Sequence, residues 1–175
     1  MNRRLKIMTR VAVFAALVFI FSYFAVFLHN VNPSFFVVFA AGFLWGGWAG
    51  IGVGMIGFFL WSNFNPFGPA PLPLIVAQMI GISFTALLGC LIKRVSGDRG
   101  GVRIMFLLIG AGMLSGLLYH IAVDAVDAYL YQPFWPRLAG GLIFSLITII
   151  SNAIMFPLFF PALKIIGVRE QRSGI

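Results

Sequence analysis

One stretch in the second half of the chain carries acidic and imidazole side chains at helical spacing. The spacing of four, three and four residues places these side chains on one face of an α-helix: His120, Asp124, Asp127 and Tyr131. Ionisable groups inside an apolar helix are costly, so each is a candidate for function. The pattern predicts one wall of a pocket for a polar or cationic ligand. The sequence also allows a purely structural pair, in which Arg137 or His120 neutralises one aspartate.

A metal site is a further possibility at this face, because one histidine and two carboxylates resemble a metal-ligand set. His29, in the first predicted loop, could complete the ligand shell. Enzyme signatures are absent, since the sequence has no Gly-x-Ser-x-Gly, His-Glu-x-x-His or Gly-x-x-x-x-Gly-Lys-Ser/Thr motif. Cys90 is the single cysteine, which excludes an internal disulfide. We therefore expect no catalytic residue, resident metal or cofactor, and no ATP hydrolysis by this chain alone.

Further polar and aromatic side chains fall in predicted loops and helix ends on the same side of the membrane. Small-molecule sites combine aromatic walls with a few convergent polar groups, so this side is the predicted binding face. The complete candidate set is His29, Asn30, Asn32, Asn63, Asn65, Gln78, His120, Asp124, Asp127, Tyr131 and Trp135. Asn152, near mid-membrane, is instead expected to hydrogen-bond between two helices.

The composition indicates which elements must hold these residues. Of 175 residues, 61% are hydrophobic and 9% are charged, against about a quarter charged in a soluble domain. Apolar runs between the charge clusters are long enough to cross about 30 Å of hydrocarbon, which predicts a single transmembrane domain over residues 1–175. The first run is interpreted as a retained helix and not a signal peptide. The net charge of +8 comes from basic residues at helix ends, which favours contact with the lipid bilayer over nucleic acid.

The stretch from residue 35 to 62 decides the topology. One long tilted helix would give five crossings, whereas a turn at Trp45-Gly46-Gly47-Trp48 gives two short helices and six crossings. Six crossings put every basic residue except Arg137 on the N-terminal side, including Arg99 and Arg103, as the positive-inside rule favours. We predict an all-α, polytopic protein of the cell membrane with six transmembrane helices and both termini cytoplasmic. The other helices are predicted at about 11–28, 72–92, 104–130 and 138–166, with Pro157 and Pro161 bending or breaking the last.

Glycines recur through the second and third predicted helices. Gly42, Gly46, Gly50 and Gly54 lie four residues apart, and Gly57 follows. Small residues at this spacing let helix backbones approach closely. The pattern predicts tight packing around a short second helix.

Three local patterns are together similar to one known family. The first helix carries Ala12-Val-Phe-Ala-Ala16, an Ala-x-x-x-Ala pattern. A glycine-rich stretch from Gly42 to Gly57 is followed by Asn65-Pro66-Phe67-Gly68-Pro69, and a third pattern runs from Pro73 to Gly81. Over nearly the whole chain, these patterns resemble the vitamin-type S-components of energy-coupling factor (ECF) transporters, which are the substrate-binding subunits of these importers.

The resemblance implies a subunit that captures a vitamin or related micronutrient on the outer face. It also implies that Ala12 and Ala16 dock on a transmembrane coupling subunit, with two ABC ATPases driving toppling and release. The ligand is not identified: acidic groups beside aromatics suit a cationic cofactor such as thiamine, whereas the fourth helix resembles members predicted to carry cobalamin or its precursors.

Two other functions remain open from the sequence. One is a structural membrane scaffold similar to the rod-shape protein D family, which has the same six-helix fold. The other is an intramembrane enzyme or a lipid-precursor carrier, which would need a nucleophile or metal that the sequence does not display.

Overall fold

A computed structural model describes residues 3–96 and 101–172, and the regular elements of these residues are all helices. The all-α prediction is therefore confirmed. Arg99, which the topology prediction assigns to the cytoplasmic side, lies outside the described residues. The helices are α1 (Arg3–Phe27), α2 (Ser34–Trp45), α3 (Gly47–Phe64), α4 (Leu72–Ser96), α5 (Val102–Leu130) and α6 (Phe134–Arg172).

The predicted turn between the second and third helices is present at Gly46. Its φ of 96° lies in the region that favours glycine, and its backbone N–H donates to the Gly42 carbonyl at 3.0 Å. Four helices, α1, α4, α5 and α6, are long and apolar enough to cross a membrane, and α2 is a shorter apolar helix. These helices are compatible with a membrane protein.

α2 lies at the centre of the bundle although it has only 12 residues. It packs against each of the other five helices, whereas α1 packs against α2 and α3. Eight of the α2 residues are buried, and the Phe39 ring lies 4.7 Å from the Phe156 ring of α6 between centroids. Neighbours therefore cover a helix that could not stand alone in lipid, where uncovered backbone groups are costly.

Glycines allow this close packing, as the sequence predicts for Gly42, Gly50 and Gly57. A Cβ on Gly42 would lie 2.1 Å from the Ala86 carbonyl oxygen of α4, and a Cβ on Gly50 would lie 2.7 Å from Gly42 Cα. A Cβ on Gly57 would lie 2.4 Å from Val18 of α1. Gly46 has a different role from its neighbours in the pattern, since it forms the turn and nothing lies within 4 Å of its Cβ position.

The last helix differs from its predicted extent. α6 continues through Pro157 and Pro161 and runs for 39 residues. Of the two predicted effects, bending or breaking, a break at these prolines is therefore excluded. Each proline removes one N–H donor, but the turns on either side keep their helical bonds and pack on α5 and α2. At about 1.5 Å per residue, α6 is roughly twice as long as the hydrocarbon core is thick.

The two ends of the bundle differ in character. At one end, here called the terminal end, Glu170 Oε2 of α6 accepts from Arg10 Nε of α1 at 2.6 Å and from Trp45 Nε1 of α2 at 3.1 Å. This contact joins the start of α1 to the end of α6. The opposite end, here called the loop end, carries the connections 28–33, 65–71 and 131–133.

Candidate functional site

The predicted polar face of α5 meets α6 at the loop end. His120 is only 9% exposed, and its Nδ1 lies 3.1 Å from Asp124 Oδ1 one turn further along α5. Since a carboxylate oxygen can only accept, Nδ1 carries the proton in this bond. The carboxylate thereby fixes the orientation of the imidazole ring.

Ser145 of α6 holds the other oxygen of Asp124. Its hydroxyl oxygen lies 2.5 Å from Asp124 Oδ2 and 3.0 Å from the Gly141 carbonyl oxygen. The hydroxyl has one proton, and the charged carboxylate is the stronger acceptor. Asp124 thus links an imidazole on its own helix to a serine on the next.

Asp127 lies one turn closer to the loop end and pairs with Arg137. Arg137 Nε donates to Asp127 Oδ2 at 2.6 Å, and a second guanidinium nitrogen donates to Oδ1 at 3.2 Å. The guanidinium carbon also lies 5.2 Å from the centroid of the Tyr131 ring. This two-bond geometry and the ring contact hold the Arg137 side chain although half of it is exposed.

Asn30 brings the first loop to the same place. Its backbone has a φ of 73°, a left-handed conformation that asparagine tolerates better than most residues. Its side-chain amide donates to the Phe144 carbonyl at 3.3 Å, and its own carbonyl accepts from the Thr148 hydroxyl at 3.1 Å. The loop between α1 and α2 is therefore anchored on α6 next to Ser145.

These groups surround a cavity of about 530 Å³ at the loop end, within the range of small-molecule sites. One side is acidic, with two aspartates, and the other is formed by small or apolar residues of α6. The lining residues are Asn30, His120, Asp124, Asp127, Pro136, Arg137, Gly140, Gly141 and Phe144. The cavity therefore contains the acidic groups of the predicted site and one positive group.

Seven of the predicted residues do not line this cavity. Tyr131 lies beside it under Arg137, and His29 and Trp135 are exposed. Asn32 accepts from the Ser34 N–H at 3.0 Å at the start of α2. The remaining three, Asn63, Asn65 and Gln78, belong to the loop between α3 and α4 or to the adjoining helix turns.

The residues of the α3–α4 region make local bonds instead. Asn63 donates to the Phe59 carbonyl at 2.7 Å, and Asn65 donates to the Gly68 carbonyl at 2.8 Å. Gln78 Oε1 accepts from the Ser62 hydroxyl. These contacts shape the loop and join α3 to α4.

Several cavity residues were not in the predicted site. These residues all lie on α6, and Arg137 among them was considered only as a neutralising partner: Pro136, Arg137, Gly140, Gly141 and Phe144. One signal was available, because Gly141 and Ser145 lie four residues apart and share a helix face. Arg137 gave a second signal, because the predicted topology puts it on the same side as the site and all other basic residues on the opposite side.

Two other predictions concern metal ligands and Asn152. Within residues 3–96 and 101–172, no three His, Cys, Asp or Glu side chains cluster in a way that could hold a metal ion. Asn152 is fully buried where α6 meets Gly112 of α5, but its side-chain atoms have no hydrogen-bond partner among the described residues. The predicted side-chain hydrogen bond between helices is therefore wrong for Asn152.

Comparison with known proteins adds no relative from which a function could be transferred. No family model, curated protein or solved structure matches the chain. The contacts in the loop-end cavity and the sequence patterns are therefore the basis for assigning a function.

Proposed function

We propose that this chain is the S-component of an ECF-type importer, which captures a vitamin or related micronutrient at the outer face of the cell membrane. The observation that carries the proposal is the loop-end cavity of about 530 Å³, lined by His120, Asp124 and Asp127. Its partners would be the transmembrane coupling subunit and two ABC ATPases. Capture of a ligand needs convergent polar groups in a concave site and no nucleophile, which fits this cavity.

The topology that this role requires is six crossings with both termini in the cytoplasm. The distribution of basic residues supports it, since Arg10, Lys93 and Lys164 lie toward the terminal end and Arg137 lies at the loop end. A cytoplasmic terminal end puts the cavity on the outer side. In this topology the short α2 is one of the six crossings, and its packing against the other five helices would shield it from lipid.

The binding role is tested on the full chain reconstituted in lipid nanodiscs. Thermal-shift screening with individual vitamins is expected to identify at least one ligand, because saturation at a hundred times Kd adds about 2.7 kcal/mol to the stability. Isothermal titration then gives the affinity of the wild type. If no micronutrient shifts unfolding, and none is retained on purification, the capture role is wrong and a structural scaffold becomes the better explanation.

Docking is expected to depend on Ala12 and Ala16. Both are exposed one turn apart on α1, whereas Ala15 between them is 1% exposed and packs toward Gly57 of α3. Replacing Ala16 with leucine should block close helix approach, so uptake in cells with the ECF module should fall at least about tenfold. Ligand affinity in nanodiscs should stay unchanged.

The matched control for docking is Val13→Leu, because Val13 is exposed on the same part of α1 and already carries a branched side chain. It should leave both uptake and binding at the level of the wild type. Full uptake by Ala16→Leu, or equal loss of uptake in both variants, would contradict docking through the alanine face.

A further inference from the structure

The cavity at the loop end has one carboxylate, Asp124, that is not paired with a lysine or arginine of the lining. Asp127 is neutralised by Arg137 through two hydrogen bonds, at 2.6 Å and 3.2 Å. Asp124 has only a histidine and a serine as partners, and its side chain is 20% exposed. A carboxylate this far removed from water is stabilised when a cation approaches it.

His120 offers a second acceptor to the same space. Its ring is nine-tenths buried and lines the cavity. In the neutral tautomer whose Nδ1 donates to Asp124, Nε2 carries a lone pair. Among the residues that the structure describes, no group makes a hydrogen bond to Nε2. Nε2 therefore offers the cavity an acceptor that an N–H donor of a ligand could meet.

The two acceptors have a fixed geometry before any ligand binds. Ser145 and His120 hold the two Asp124 oxygens from different helices, and Asn30 ties the first loop to α6 beside them. Pre-organised acceptors favour ligands whose donors match them, since little conformational entropy is lost on binding. Phe144 adds an aromatic ring to the lining, which is a favourable contact for an organic cation.

We infer that the ligand is an organic cation with at least two N–H donors, such as a protonated amine or aminoheterocycle, which binds its charged group on Asp124 and donates to His120 Nε2. This inference rests on the proposed capture role and names the ligand class of that same cavity. An anionic ligand would have to attract Arg137 away from Asp127 and would place its charge near Asp124. The two ligand classes therefore depend on different residues.

The test uses vitamins of different charge on the full chain in nanodiscs. Thiamine is the cationic probe, riboflavin the neutral one, and biotin and pantothenate the anionic ones, each titrated by calorimetry. The cationic probe is expected to bind at least about tenfold more tightly than the others. Asp124→Asn should weaken binding of the cation at least about tenfold, because it removes the negative charge that attracts the cation while keeping the shape of the side chain.

Arg137→Gln is the second test variant. Its effect on affinity should have opposite signs for a cationic and an anionic ligand. It should tighten binding of the cation by about a few times, since it removes a positive charge from the cavity and leaves the Asp127 carboxylate unpaired. It should abolish binding of an anion that depended on the guanidinium. If Asp124→Asn does not fold, the charge preference of the wild type and the sign of the Arg137→Gln effect still decide.

The outcomes separate this inference from the proposed function. Tight binding of an anionic or neutral vitamin that is indifferent to Asp124→Asn overturns the cation inference and leaves micronutrient capture standing. Binding of ZnCl2 or NiCl2 without any organic probe overturns it in favour of a metal ligand, for which His120 and Asp124 would be the first candidates. Binding of none of the probes, with no other micronutrient retained, overturns both.

Discussion

Replacing Gly89 with alanine is expected to cause a large loss of stability for so small a change. A Cβ at position 89 would lie 2.1 Å from the Phe39 carbonyl oxygen and 2.9 Å from the Phe43 backbone nitrogen, both on the central helix α2. Neither atom is the end of a flexible side chain, so α2 and α4 must move apart. Overpacking of a core typically costs about 1–3 kcal/mol, and a backbone clash lies at or above the upper end.

The measurement is thermal unfolding of the purified protein in one detergent, with the monodisperse fraction as a second readout. Gly110→Ala is the matched control, because Gly110 is also within a helix but nothing lies within 4 Å of its Cβ position. That control should be neutral or more stable by up to about 1 kcal/mol, which is the helix preference of alanine over glycine. Equal stability of the two variants would mean that α2 and α4 are not in backbone contact at Gly89.

The effect of Gly89→Ala should extend to the cavity although the site is at the other end of the bundle. α2 begins at Ser34, directly after the loop that places Asn30 on α6. A shift of α2 therefore disturbs the first loop, and ligand affinity should fall together with stability. The position of α2 therefore depends on the close packing at Gly89, and the positions of the cavity residues depend on α2.

The sequence was sufficient for those elements whose signal is local. The Gly46 turn was predictable because two glycines interrupt an apolar stretch that could otherwise be one tilted helix, and the placement of the basic residues favours six crossings over five. The polar face of α5 followed from spacing alone, since His120, Asp124 and Asp127 must share a face once the segment is helical.

Contacts between helices could not be predicted in the same way. The sequence predicts one site that contains Asn63, Asn65 and His120, because all three are expected on the same side of the membrane. The side of the membrane does not determine which loops contact one another. The α3–α4 loop closes on itself through Asn65 and Gly68, whereas the first loop is held on α6 by Thr148. Likewise, Asn152 was expected to find a partner across the helix interface, and the packed backbone of Gly112 lies there instead.

Gly141→Leu is expected to weaken ligand binding strongly while keeping the fold, which is the second large effect. A Cβ at this position would lie 3.6 Å from Asp124 Oδ2, an ordinary contact that needs no backbone movement. The rest of a leucine side chain would then occupy the space beside the carboxylate where the ligand must bind. Since a hydrogen bond to a charged group contributes about 1.5–3 kcal/mol, affinity should fall about tenfold to a hundredfold.

Calorimetry with the tightest-binding vitamin probe checks this expectation. It compares side chains of increasing size at position 141. Gly141→Ala should have a small effect and Gly141→Leu the full one, because only the larger side chain reaches into the cavity. Gly110→Leu controls for the helix preference of leucine, since Gly110 lies on α5 and does not line the cavity. Wild-type affinity in Gly141→Leu, with unchanged unfolding, would place the ligand away from Asp124 and contradict the site itself, whatever the charge of the ligand.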